Sequence, residues 1–293
     1  MTRKPLFIYL LITFFFSWTL AGVFYLFGGR LNSPYAGPIL IFYMFGPLIG
    51  ALVTQKLVLK TSVIKPLAIS FKLNRWYLFA WFLPPLLAFT ALGVSLLFPG
   101  INFSPDMTGM FDRYRAVMTP EQLEQMQNQI NNLPIHPIWL MLAQGLIAGA
   151  TINALAAFGE ELGWRGLMYK ELSSFGFWPS SLIIGVIWGL WHAPIIIQGY
   201  NYPAHPGLGV LLMIIWCILL SPIFSFARQK TKSVVGASLI HGTLNGTAGL
   251  AIVMVQGGND LTTGLLGFPG MLVLLVTNLA IYLYQKTRTP SLP

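Results

Sequence analysis

Glu160 and Glu161 stand side by side in a chain that holds only eight acidic residues. Arg165 follows four positions after the second, and the stretch around them, Ala148 to Leu172, is otherwise largely apolar. An ionised group at the centre of a bilayer costs about 2.5–3.5 kcal/mol on insertion scales. A chain carries that cost where the groups are paired, wet or chemically used. Two further features point to use. His192 lies in Ile187-Trp188-Gly189-Leu190-Trp191-His192-Ala193-Pro194, and His241 and Asn245 lie in His241-Gly242-Thr243-Leu244-Asn245. Both stretches sit inside apolar runs. A paired carboxylate, two histidines and an amide in such segments read as one buried polar site.

Helix geometry decides which of these groups can meet. Glu161 and Arg165 are four apart, so they share a face and can pair. Glu160 is rotated by about 100° and projects from a neighbouring face. His241 and Asn245 are also four apart. The expected chemistry follows from the residue types. Arg165 holds Glu161 in a structural ion pair, and Glu160, without such a partner, is free to act as general base. His192 helps to bind and deprotonate the same water. His241 and Asn245 donate hydrogen bonds to the oxyanion that forms when that water attacks an amide. No serine or cysteine nucleophile is required. Glu160, His192 and His241 also number three, which a catalytic Zn²⁺ with an open position would need. The residues leave metal-dependent and metal-free routes open.

The elements that position these groups are read from composition. The chain has 293 residues, 55% hydrophobic and only 9% charged, whereas soluble domains carry about 25% charged residues. The expected fold class is all-α, a polytopic membrane helix bundle. With about 20 apolar residues to a crossing, eight segments qualify. They are Leu6–Phe27, Gly37–Leu59, Trp76–Phe98, Ile138–Tyr169, Pro179–Gln198, Leu208–Phe226, Val234–Val255 and Leu265–Tyr284. The site then draws on the fourth, fifth and seventh. The first run follows Arg3 and Lys4 but is too long for a signal-peptide core, so it is expected to be an uncleaved helix. Cys217 is expected to be a small packing residue, with no intrachain disulfide open to it.

The net charge of +9 does not form a nucleic-acid patch, because the basic residues fall between the apolar runs. One side of the bundle receives Arg3, Lys4, Lys56, Lys60, Lys65, Lys72, Arg75, Lys170, Arg228, Lys230, Lys232, Lys286 and Arg288. The other receives Arg30, Arg113 and Arg115. The richer side is expected to be cytoplasmic, with both termini on it, in a cell membrane. Counting along the helices puts Glu160 about 15 Å from Lys170 and His241 about 13 Å from Lys232. That places the site inside the membrane, nearer the cytoplasmic face, with attack expected from that side. The long loop from Pro99 to Pro137 faces the other way. Thr119-Pro120-Glu121-Gln122 in it predicts a capped helix whose Leu123, Met126 and Ile130 share a face. His136 and His205 are expected to be solvated in outer loops. Trp188 and Trp191 are expected to be packing residues. One domain, 1–293, is the default.

The ordered set E-E-x-x-x-R, aromatic-x-x-x-H and H-x-x-x-N on separate apolar segments resembles the CPBP family. That family includes type II CAAX prenyl endopeptidases and the bacteriocin-processing or immunity proteins also called Abi. The resemblance covers about 148–250. It implies that Glu160 is the water-activating glutamate, Glu161 its acidic neighbour and Arg165 the arginine of the same motif. It implies that His192 is the second catalytic position and that His241 and Asn245 form the oxyanion-binding pair. Trp188 stands where many members have Phe, a change expected to leave the chemistry alone. The implied activity is an intramembrane endopeptidase acting on a membrane-associated or lipid-anchored peptide or protein among membrane lipids. A non-catalytic membrane regulator or immunity protein on the same scaffold is the alternative. A proton-relaying transporter is disfavoured, since no related pair of broken helices is visible.

Overall fold

A computed structural model describes residues 4–31, 33–115 and 118–288. Arg3, one of the charges used for the sidedness count, lies outside them. The first three helices are α1 (Lys4–Leu26), α2 (Ala36–Met44) and α3 (Gly46–Val53), the last running on through a π turn to Val58. Next come α4 (Trp76–Ser95), α5 (Thr108–Tyr114), α6 (Pro120–Asn131), α7 (Pro137–Ala150) and α8 (Ile152–Glu161). A π stretch, Leu162–Met168, leads into α9 (Tyr169–Glu171), and then α10 (Phe177–Trp191) and α11 (Ala193–Ile196) follow. The chain continues through α12 (Pro206–Thr231), α13 (Val234–Thr247), α14 (Leu250–Val253) and α15 (Phe268–Arg288). The departure from all-helix is a two-residue antiparallel ladder, Asn102–Phe103 (β1) against Val255–Gln256 (β2).

All eight expected segments are helical, but they are not equal. Among the described residues, five helical stretches are long and apolar enough to cross a membrane, and α7 with α8–α9, bent by 47°, makes a sixth. The fifth and seventh segments give α10 and α13, of 15 and 14 residues. At 1.5 Å per residue each reaches only about 21–23 Å, short of a hydrocarbon core of about 30 Å. α13 is an inner helix packed against α4, α7 and α8, whereas α10 packs along α12 and leaves Leu182, Ile183, Val186 and Leu190 exposed.

The surface explains why this bundle needs lipid. On α1, Phe7, Leu11, Phe15 and Trp18 are exposed at helical spacing. The opposite stripe, Tyr9, Thr13, Ser17 and Ala21, is buried. A soluble helix has the reverse arrangement. The inward stripe is small because backbones approach closely there, as in other membrane interfaces. A Cβ at Gly50 would meet the Thr13 Oγ at 2.4 Å, and one at Gly189 would meet Ile214 Cα at 2.5 Å. Gly189→Ala is therefore expected to push α10 away from α12, at a cost of about 1–3 kcal/mol. Thermal unfolding in detergent should show a lower midpoint than wild type.

The loops sort into two ends. At one, β1 pairs with β2, and Arg113 donates to the carbonyls of Ile252 (2.9 Å), Val255 (2.8 Å) and Gly257 (3.2 Å). Tyr202 donates to the Leu266 carbonyl at 2.8 Å. His136 and His205 are not simply solvated. His136 Nε2 bonds the Pro105 carbonyl at 2.7 Å while its Nδ1 caps Ile138 N, and His205 Nδ1 lies 2.6 Å from Asp260. Both rings tie loops together, a role that tertiary proximity creates and local sequence does not announce. Asp106 is also tied in, and the Ser104 hydroxyl, then that of Thr108, holds its carboxyl below the usual range. The capping box of α6 forms, and Leu123, Met126 and Ile130 turn towards the bundle.

At the opposite end, the segment 60–75 folds across the helix ends. Val234 N donates to the Ala68 carbonyl at 2.9 Å, and Ser70 N donates to Ser233 Oγ at 3.1 Å. Leu67 is fully buried there.

Candidate active site

The bend at Thr151 aims α8 at the bundle interior. Thr151 has φ −120° and ψ −99°, and its hydroxyl donates back to the Ile147 carbonyl at 2.7 Å. Small residues then let α8 and the π stretch sink against α2 and α3: Gly159 meets Phe45, and Gly163 meets Tyr9 and Pro47. Glu160 and Glu161 end α8 in full burial, and Arg165 follows inside the π stretch.

Arg165 Nη1 donates to Glu161 Oε1 at 3.1 Å, as the spacing predicts. His241 Nδ1 donates to the same oxygen at 2.8 Å. The guanidinium also lies over two rings, 4.5 Å from the Trp188 centroid and 5.1 Å from that of Phe224. Arg165, Glu161 and His241 thus form one buried unit. Glu160 stands apart from it: its Oε2 accepts from the Trp188 indole N–H at 2.8 Å.

The imidazoles are oriented by what they touch. A carbonyl only accepts, so the His192 Nδ1 at 2.8 Å from the Trp188 carbonyl carries a proton. Its Nε2 is left with a lone pair when the ring is neutral. His241 likewise spends its Nδ1 proton on Glu161. Its Nε2 can therefore donate only when the ring carries both protons. Rings fix these orientations further. Trp188 packs against His192 (5.7 Å) and His241 (5.5 Å), and Trp191 against His192 (4.8 Å) and Tyr43 (4.4 Å). The Trp191 carbonyl accepts from Trp18 Nε1 at 3.1 Å and from the Tyr43 hydroxyl.

Glu160, His192, His241 and Asn245 line one cavity of about 350 Å³. Of the six expected residues, these four face the same space, and Glu161 and Arg165 stand behind them. The sequence reading is corrected on Trp188. It is more than packing, and its difference from Phe is not silent, because Phe has no N–H to offer Glu160. The signal was present in the sequence: an indole four residues before a buried histidine shares its face. Trp188→Phe is expected to keep the fold and lower kcat. A hydrogen bond to a charged group is worth about 1.5–3 kcal/mol, which predicts a loss of about tenfold or more. Steady-state kinetics with a melting control would measure it.

The direction of the cavity also differs from expectation. Counting along helices places the site nearer the basic end. The cavity instead runs away from that end, to Tyr200, Asn201 and Leu266 in the loops opposite. Distance along a helix measures depth and says nothing of which end is open.

For a metal, the donors must converge. Among the described residues, no group of three or more His, Cys, Asp or Glu is placed to hold an ion. Both histidines have Nδ1 engaged, and Glu160 has one oxygen engaged. An engaged Nδ1 leaves each Nε2 free, as in histidines that bind metals, so the metal-dependent and metal-free routes both stay open.

The fold and site define a polytopic helical membrane protein with a buried polar centre drawn from α8, the π stretch after it, the end of α10 and α13. The family model for type II CAAX prenyl endopeptidase Rce1-like proteins matches residues 134–247, which include all six motif residues. A CAAX prenyl protease 2 of Methanococcus maripaludis is 30% identical over 140 residues, 45% of this chain and 48% of that protein. The chain thus matches about half the length of this curated relative. Both similarities fall on the motif-bearing segment and agree with the CPBP resemblance of its motif order.

Proposed function

We propose that this protein is an intramembrane endopeptidase that uses a glutamate-activated water. The observation that carries the reading is the division of labour in the site. Glu161 is committed to Arg165 and His241, while Glu160 keeps one carboxylate oxygen for the cavity that His192 also lines. Water held between that oxygen and His192 Nε2 attacks the scissile carbonyl carbon, and its proton passes to Glu160. The carbonyl oxygen becomes an oxyanion, which takes hydrogen bonds from the Asn245 amide and from His241 as imidazolium. The C–N bond then breaks, and the leaving amine takes the proton from Glu160.

The name of the relative points to a prenylated C-terminal peptide as the first substrate to assay. The broader class is a peptide or lipid-anchored protein that lies in the membrane. His241→Ala and Asn245→Ala are each expected to lower kcat more than they raise KM, by about 10²–10³. Kinetics on a fluorogenic peptide in nanodiscs, with metal content measured on the same samples, would check this. Loss of a stoichiometric zinc ion from His241→Ala would replace the oxyanion role with a metal role. A change in KM alone would make these residues substrate contacts.

A further inference from the structure

Three of the helices long enough to cross a membrane end together at the basic end of the bundle. Trp76 opens α4, Phe226 and Lys230 lie in the last turns of α12, and Tyr284 lies in the last turns of α15. α4 and α15 have 20 and 21 residues. At 1.5 Å per residue that is about 30–32 Å, the thickness of the hydrocarbon core. Their ends therefore stand where hydrocarbon meets headgroups, the level at which Trp and Tyr collect. The rings pack edge to face: Trp76 lies 5.5 Å from Phe226 and 5.9 Å from Tyr284, and Phe226 lies 5.7 Å from Tyr284. Further along α4 and α15, Leu78, Phe82, Leu279 and Leu283 are exposed at helical spacing.

Two cations are held against these rings. Lys230 Nζ lies 4.6 Å from the Tyr284 centroid, 5.2 Å from that of Phe226 and 5.3 Å from that of Trp76. The Arg75 guanidinium lies 5.7 Å from the same Trp76 ring. The 60–75 segment brings Arg75 there. Asn74 Nδ2 donates to the carbonyls of Lys230 (3.2 Å) and Thr231 (3.4 Å), and its Oδ1 accepts from Trp76 N at 2.9 Å. A basic residue that serves only topology needs no fixed position, but these two are placed. Among the described residues, no carboxylate pairs with either of them. Glu171, the acid at this end, is taken by Lys170 at 3.4 Å. The ring faces attract the cations without neutralising them.

We propose that Arg75 and Lys230, with Trp76 and Tyr284, form a binding site for an anionic phospholipid. Its phosphate sits between the two cations, and its acyl chains run down the exposed faces of α4 and α15. Charge complementarity selects the head, as in basic sites between membrane helices. The apolar residues beyond select a lipid over a free anion. The site draws on α4, α12 and α15, none of which carries a motif residue. It is therefore independent of the endopeptidase reading and of which face is cytoplasmic. A lipid bound here joins the 60–75 segment to the ends of α12 and α15, so its binding stabilises the fold by mass action.

The full chain, purified in a neutral detergent, is exposed to phosphatidylglycerol, phosphatidylcholine or inorganic phosphate. Native mass spectrometry counts the bound lipid, and thermal melting reports its effect on the fold. Phosphatidylglycerol should be retained in preference to phosphatidylcholine and should raise Tm. Arg75→Gln and Lys230→Gln should each weaken phosphatidylglycerol binding about fivefold, and the pair about 25-fold. Lys56→Gln with Lys65→Gln removes two exposed cations of the same end that lie over none of these rings, and should leave binding unchanged. An equal loss in that control would mean diffuse charge and overturns the proposal. Equal retention of phosphatidylcholine overturns it too, as does a rise in Tm with inorganic phosphate as large as that with phosphatidylglycerol. If the double variant does not fold, Arg75→Gln decides alone, because Arg75 is exposed, and undiminished binding there overturns the site. None of these readouts needs turnover, so failure of the endopeptidase reading leaves the test intact.

Discussion

Glu160→Gln is expected to abolish measurable proteolysis and leave the protein folded. The glutamine keeps the shape, and its carbonyl oxygen can still accept from the Trp188 indole N–H that now meets Glu160 at 2.8 Å. What it cannot do is take a proton from water. Loss of a positioned general base costs about 10²–10⁴ in rate, and here no serine or cysteine stands by to replace it. Purified wild type and variant would be compared on a quenched peptide in nanodiscs, with melting curves on the same samples. Wild-type turnover in a folded Glu160→Gln sample would remove Glu160 from the mechanism.

Arg165→Ala is expected to act in the opposite way, on the fold before the chemistry. The arginine is fully buried, pairs with Glu161 and lies over the Trp188 and Phe224 rings. Removing one partner of a buried pair strands the other charge, which typically costs about 3–5 kcal/mol. His241 still reaches Glu161, so some compensation remains, but the contacts of the guanidinium with the Trp188 and Phe224 rings are lost. Expression and detergent melting temperature should fall well below those of Glu160→Gln. Equal melting temperatures for the two variants would show that Arg165 is not holding the site together. Since Glu161 also orients His241, any Arg165→Ala protein that folds should show a lower kcat as well.

The two outcomes separate the neighbours of one dipeptide. Glu160 and Glu161 are chemically identical and adjacent in the chain. Their difference was legible from spacing, because Arg165 sits four residues after one and five after the other. The second partner of Glu161 was not legible. His241 lies 80 positions away, and its pairing with Glu161 requires α13 to pack across α8. The same holds for Trp188, whose indole reaches Glu160 from α10 across 28 positions.

The sequence by itself determined the fold class, the eight apolar segments, the pairing of Glu161 with Arg165 and the capped helix in the outer loop. Each rests on a signal that is local or periodic. A 20-residue apolar run, a pair at i and i+4, and a threonine three residues before a glutamine carry their meaning wherever the chain goes. Tertiary structure decided the rest. It broke the fourth segment at Thr151 and kept α10 and α13 short, and α13, enclosed by α4, α7 and α8, need not match the bilayer. It turned His136 and His205 from loop residues into ties between loops. It also ran the cavity from Glu160 and His192 to Tyr200, Asn201 and Leu266 in the loops away from the basic end. An opening is made by the ends of several helices and the loops that fail to fill the gap between them, and no single segment encodes that.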